Sequence, residues 1–125
     1  MIDSFNIYIY SDDADFCASL ALECNNYGFG LTFFNDKNLK STLNSDDILV
    51  SVVIIDLTSN VKCNPYKLGE ASRIASDLPI FGVVEGFNKK KQIEAKKYGF
   101  DLIFTKKMLL RSIKEVVIHI SDQDE

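Results

Sequence analysis

The run Val52-Val53-Ile54-Ile55, closed by Asp56, constrains this chain more than any other stretch. Four consecutive β-branched residues leave no polar face. The segment therefore reads as a strand buried on both sides, as in a parallel sheet with helices over each face. A carboxylate at the end of such a strand stands where the chain leaves the core. In open α/β sheets, ligands collect outside the carboxyl ends of the strands. Asp56 is thus a candidate for chemistry, and the other strand ends are where its partners are expected.

The rest of the sequence alternates in the same sense. Residues 7–10 (IYIY) read as a first strand, and Asp12 or Asp13 caps a helix carrying Phe16, Leu20, Cys24 and Tyr27, closed by Gly28. Residues 31–34 form a second strand, followed by a short helix near 37–43, and the third strand spans 50–55. Pro65 suits the first turn of a helix carrying Leu68, Ala71 and Ile74. A fourth strand covers 80–84, and a lysine-rich helix near 88–98 offers only Ile93, Ala95 and Tyr98 to a core. A fifth strand spans 102–105, and a last helix repeats Leu109, Ile113, Val116/Val117 and Ile120 on one stripe. Five strands alternating with five helices predict one α/β domain, a flavodoxin-like doubly wound parallel sheet of order 2-1-3-4-5. The domain is expected over residues 1–121, with an acidic tail at 122–125.

Bulk properties remove several function classes. The 125 residues suit one domain that buries a core without staples. No apolar run reaches the length of a membrane span, and the N-terminus lacks the basic start of a secretory signal, so a cytoplasmic location is expected. Three cysteines, Cys17, Cys24 and Cys63, without CxxC spacing argue against a disulfide frame or a zinc site. His119, the one histidine, has no ligand at metal spacing and reads as structural. Residues 1–84 carry five bases against eleven acids, whereas 85–121 carry nine bases against four acids. The lysines fall mostly on one short helix with little aromatic interleaving, which weighs against nucleic acid. A solvated face or an acidic partner surface accounts for them.

With this strand order, the first loop, Ser11-Asp12-Asp13-Ala14-Asp15, neighbours Asp56. Strand four ends in Val84-Glu85 and strand five in Thr105-Lys106. GxGxxG is absent, and Asp12 and Asp13 beside Asp56 would repel a dinucleotide or flavin phosphate. Clustered carboxylates need protons or a cation between them, and oxygen ligands without histidine favour Mg²⁺. Lys106 adds a mobile positive charge that can hold a further anion. A carboxylate nucleophile, a hard cation and a lysine suit phosphoryl transfer. Asp12, Asp13 and Asp15 also suit helix caps and first-turn charges, and both roles remain open from the sequence.

At this point the pattern resembles the response-regulator receiver domain over nearly the whole chain. The segments that carry the likeness are IYIYSDDAD (7–15), VVIIDLT (52–58), PIFGVVE (79–85) and GFDLIFTK (99–106). The resemblance implies that Asp56 accepts phosphate from a phosphohistidine on a histidine kinase or phosphotransfer protein. It further implies Asp12 and Asp56 as Mg²⁺ ligands, Thr58 as a metal ligand through its backbone carbonyl, and Lys106 on the phosphoryl group. Such a module catalyses at most its own phosphorylation and is not an enzyme. The face of helix four, strand five and helix five would meet a target protein or a second copy.

Departures from the family pattern are specific. Ser11 stands where the acidic pair usually begins, and Asp13, one residue late, points elsewhere. Val84 replaces the Ser or Thr that binds the phosphoryl oxygen, and Ile103 replaces the aromatic switch residue. Asn60 and Asn64 stand in place of Pro and Gly, and Asn tolerates the left-handed region. The expected function is an atypical receiver in two-component or phosphorelay signalling. The alternative is a pseudo-receiver, a phosphorylation-independent interaction or dimerisation module. An aspartyl phosphatase is disfavoured, because Asp56-Leu57-Thr58 lacks the second acid of DxD.

Overall fold

A computed structural model describes residues 5–43, 51–60 and 62–123. The strands are β1 (Asn6–Tyr10), β2 (Gly30–Phe33), β3 (Ser51–Asp56), β4 (Ile80–Val84) and β5 (Leu102–Thr105). Alternating with them are α1 (Ala14–Tyr27), α2 (Leu39–Leu43), α3 (Pro65–Ala75), α4 (Lys89–Lys97) and α5 (Lys106–Gln123). All strand pairs are parallel, in the order β2-β1-β3-β4-β5. This is the expected flavodoxin-like sheet.

Every residue of β3 is buried, and its side chains divide between two cores. Val52 and Ile54 join Ile7, Ile9, Phe16 and Leu20 with the α5 residues Leu109, Ile113 and Val117. Val53 and Ile55 join Leu39, Leu68, Val84, Ala95 and Phe100 on the other face. A strand covered on both sides cannot alternate in polarity, which is why the Val52–Ile55 run is continuous. In register, Tyr10 lies against Ile55 and Asp56 against Val83. The ends of β1, β3 and β4 therefore arrive at one edge.

Several element boundaries and faces differ from the sequence expectation. β2 starts at Gly30, pinned by its N–H to the Phe5 carbonyl, and ends at Phe33. α2 begins at Leu39, because Asn35 and Asn38 spend residues 35–38 on a side-chain-bonded turn. β3 includes Asp56, and Val50 lies outside the described residues. α3 buries Leu68, Gly69 and Ser72, while Ile74 is 84% exposed and Ala71 faces solvent. The Phe100 ring fills the space a Gly69 side chain would need, and this docks the helix on its 68/72 stripe. On α4, only Ala95 is fully buried and Ile93 is exposed; Tyr27 on α1 is 42% exposed.

Caps explain where the helices begin. Asp13, not Asp12, caps α1 through Phe16 N–H, and Gly28 ends the helix at φ 77°, a left-handed conformation. Asn64 is extended at φ −78° and caps α3 through Tyr66 N–H, so it serves as a cap and not in the left-handed region. α5 follows β5 without a loop, its first turn capped by the Thr105 hydroxyl accepting from Met108 N–H. It runs to Gln123, into the stretch expected as a tail; Asp124 and Glu125 lie outside the described residues. No helix among the described residues is long and apolar enough to cross a membrane. Cys17, Cys24 and Cys63 are free thiols, and burial pushes that of Cys24 up to about 11.

Candidate functional site

The carboxyl edge of the sheet brings together Ser11, Asp12 and Asp13 after β1, Asp56 at the end of β3, Thr58 and Ser59 just beyond it, Glu85 after β4, and Lys106 at the start of α5. The Asp56 side chain is wholly buried, and Lys106 is nearly so. Burying charge in this way is tolerable only where hydrogen bonds and opposite charge replace water.

Asp56 is heavily supplied with donors. Its Oδ1 accepts from Thr58 N–H at 2.9 Å and from the Thr58 hydroxyl at 2.6 Å. Its Oδ2 accepts from Ser11 Oγ at 2.7 Å and from Ser59 Oγ at 3.0 Å, and lies 3.1 Å from Lys106 Nζ. Burial works to raise the carboxyl's pKa, but the bonds from Thr58 and Ser11 outweigh it and hold Asp56 below the usual carboxylate range.

Asp12 meets Asp56 across a single hydroxyl. Ser59 Oγ accepts from Asp12 N–H at 2.9 Å and lies 2.7 Å from Asp12 Oδ1 as well as 3.0 Å from Asp56 Oδ2. A hydroxyl has one proton, so the two carboxylates compete for it. The junction therefore retains negative charge that a shared proton cannot fully cover.

Lys106 is clamped, not mobile as expected. Its ammonium donates to Asp13 Oδ2 at 2.8 Å, Glu85 Oε1 at 2.9 Å and Thr58 Oγ1 at 3.1 Å. Those three acceptors match its three protons, leaving Asp56 as a close ion pair. The Nζ also lies 5.6 Å from the centre of the Phe16 ring. Burial works to lower the lysine's pKa, but the bonds to Asp13 and Glu85 outweigh it, so Lys106 stays an ammonium well above its ordinary range. The same bond from Lys106, followed by that from Phe16 N–H, holds Asp13 below the usual carboxylate range.

The sequence-expected residues Asp12, Asp56, Thr58 and Lys106 thus share one cluster. Asp13 points at Lys106 while capping α1, so the one-residue shift aims it away from the Asp12–Asp56 junction. Ser11 is no mere lost acid, because its hydroxyl donates to Asp56 and accepts from Asp13 N–H at 3.1 Å. Val84 is buried in the core, and Ile103 packs against that same core. Ser59 joins the site without having been expected there; its signal in the sequence is the pair of adjacent hydroxyls, Thr58-Ser59, after a buried acid.

An all-oxygen set is available for a hard divalent cation. The Asp12 and Asp56 carboxylates meet at the Ser59 hydroxyl. Among the described residues, no group of three or more His, Cys, Asp or Glu is arranged for a metal. Mg²⁺ commonly takes only one or two carboxylates and keeps waters, so the donor chemistry fits that ion.

No protein-family model matches the sequence, and no curated protein matches it. Solved structures do match in fold. A response-regulator receiver domain from Rhodospirillum rubrum superposes with a TM-score of 0.72 at 13% identity, covering 93% of each chain. A two-component response regulator from Clostridium difficile gives a TM-score of 0.74 at 14% identity, over 92% of this chain and 96% of that one. The receiver domain of the sensor histidine kinase PA1611 from Pseudomonas aeruginosa, described with magnesium coordinated in its active-site cleft, gives 0.70 at 11% identity, over 93% and 97%. At these identities the likeness is one of fold.

Proposed function

We propose that this chain, which has the response-regulator receiver fold, is an atypical receiver module of two-component or phosphorelay signalling, with Asp56 as phosphoryl acceptor. One observation carries this reading. A carboxylate kept ionised at the end of the central strand lies 3.1 Å from a buried ammonium, beside a second acid reached through one hydroxyl.

In the proposed reaction, an Asp56 oxygen attacks phosphorus in line as the bond to the donor nitrogen breaks. The imidazole of a partner's phosphohistidine leaves with the electron pair of that bond. Thr58 N–H and the Ser11 hydroxyl orient the carboxylate, and Lys106 balances the charge of the transferred group. Asp12, Asp56 and the Thr58 carbonyl would hold Mg²⁺, which when bound supplies charge neutralisation at the phosphoryl oxygens. Donors are then histidine kinases or phosphotransfer proteins. The lysine-rich α4 surface suits an acidic target, with a second copy of the chain as the other candidate.

A second reading has its own support. Both oxygens of Asp56 are already engaged, the side chain has no exposed surface, and Val84 offers no hydroxyl to a phosphoryl group. These features favour a pseudo-receiver that holds its interaction surface without a phosphoryl cycle. Incubation with Mg²⁺ and acetyl phosphate, or with beryllofluoride, decides between them. A mass gain that vanishes in Asp56→Asn supports acceptance, while no adduct and no Mg²⁺ binding at millimolar donor supports the interaction module.

A further inference from the structure

Lys106 has three protons and three hydrogen-bonded acceptors, so an anion entering the site needs one of them to be released. The three are not held equally. Asp13 is anchored from both sides, capping α1 with Oδ1 while Oδ2 takes the lysine. Thr58 Oγ1 is tied to Asp56 by its own proton at 2.6 Å. Glu85, in contrast, follows the last residue of β4 in a bend, and its side chain is 72% exposed while that of Lys106 is 9% exposed. A Cβ on the next residue, Gly86, would meet nothing within 4 Å, so the backbone there is uncrowded. Of the two carboxylates that accept hydrogen bonds from Lys106, Glu85 is the more open to solvent, at 72% against 32% for Asp13, so its attraction is the more screened.

We propose that Glu85 is an acidic cover on Lys106, the one contact an incoming anion displaces, and that it sets which phosphoryl donors reach Asp56. Closed, its carboxylate occupies on the lysine the place a phosphoryl oxygen would take. It also adds negative charge to an edge already carrying Asp12, Asp13 and Asp56, which disfavours small, highly anionic donors. A phosphohistidine presented on a partner's cationic surface would bring compensating charge. The effect on donors rests on Asp56 as acceptor; the cover itself rests only on the contacts of Lys106.

The two parts are tested separately. Labelling of native protein with acetic anhydride, resolved by residue through peptide mass spectrometry, reads how readily the Lys106 amine is released from its acceptors to react, with exposed Lys107 as internal reference. Glu85→Gln and Glu85→Ala are expected to raise Lys106 labelling about two- to five-fold, the range of an exposed ion pair, and to leave Lys107 unchanged. Unchanged Lys106 labelling in both variants overturns the cover. Acetyl phosphate adduct formation on Asp56 is expected to rise by a similar factor in Glu85→Gln. Adduct in wild type without any gain in the variant overturns the donor role. Raised Lys106 labelling with no adduct in any variant upholds the cover and removes Asp56 as acceptor.

Discussion

Ser11 Oγ donates to Asp56 Oδ2 across 2.7 Å, an uncharged donor on a buried carboxylate that joins the ends of two adjacent strands. An acid at that position would place a second charge against a buried carboxylate and call for a cation between them. With serine there, much of the electrostatic demand on the site is met by the chain itself. Among the described residues, no buried side-chain nitrogen or oxygen lacks a partner.

Ser11→Asp should therefore make stability depend on magnesium. The substitution deletes a donor to Asp56 and adds a like charge, and is expected to cost about 1–3 kcal/mol without divalent cation. Added Mg²⁺ should recover much of that loss in the variant and less in wild type. Urea unfolding of both proteins with Mg²⁺ and with chelator checks this. Equal magnesium responses would count against Asp12 and Asp56 as a cation site.

Lys106→Met should be among the most damaging substitutions at this edge. It leaves Asp56 ionised, buried and without its counter-charge, and removing one member of a buried pair costs about 3–5 kcal/mol. The double variant with Asp56→Asn should be more stable than Lys106→Met alone, because the orphaned charge is gone. Urea midpoints of the two variants and the double decide it; additive losses would show that the pair is not coupled.

Acid should unfold this protein partly through Asp56. A carboxyl held below its usual range contributes stability that is present above the unfolded-state value, about 3.9 for Asp, and lost as pH falls through the lower folded value. Lys106 behaves oppositely. Its raised folded value contributes fully below the unfolded lysine value of about 10.4 and is lost only as pH rises through the folded one. Stability should thus be flat with respect to this pair across neutral pH. Asp56→Asn should shallow the acid limb of a urea-midpoint profile and leave its neutral plateau flat.

Val84→Thr places a hydroxyl at the end of β4. The residue is 1% exposed and packed in the second core, so the change is not isosteric in polarity and should cost about 1 kcal/mol or more. Binding of beryllofluoride with Mg²⁺ is nevertheless expected to strengthen if position 84, the last residue of β4, supplies a phosphoryl-binding hydroxyl. A calorimetric titration showing equal or weaker binding would mean that Val84 does not align with the phosphoryl-binding position.

The order of strands and helices was written locally. The all-apolar Val52–Ile55 run, the 3.6-residue stripe of Leu109, Ile113 and Val117, and the Gly28 stop each lie within a short window where periodicity and backbone preference act. Faces were less legible where apolar residues were few. Leu68, Ala71 and Ile74 suggest one stripe, yet the ring of Phe100 against Gly69 selects another, with Ser72 buried and Ile74 in solvent.

Sequence alone also placed Asp12, Asp56 and Lys106 at strand ends, because each directly follows a predicted strand or its first loop residue, while Thr58 came only from the family resemblance. Which hydroxyl reaches which carboxylate was decided only by the folded chain. Ser11 and Ser59 find Asp56 and Asp12 across 45 and 47 residues, and Glu85 finds Lys106 across 21. Such contacts depend on strand register to within a bond length, and no local pattern carries distances that small between segments that far apart.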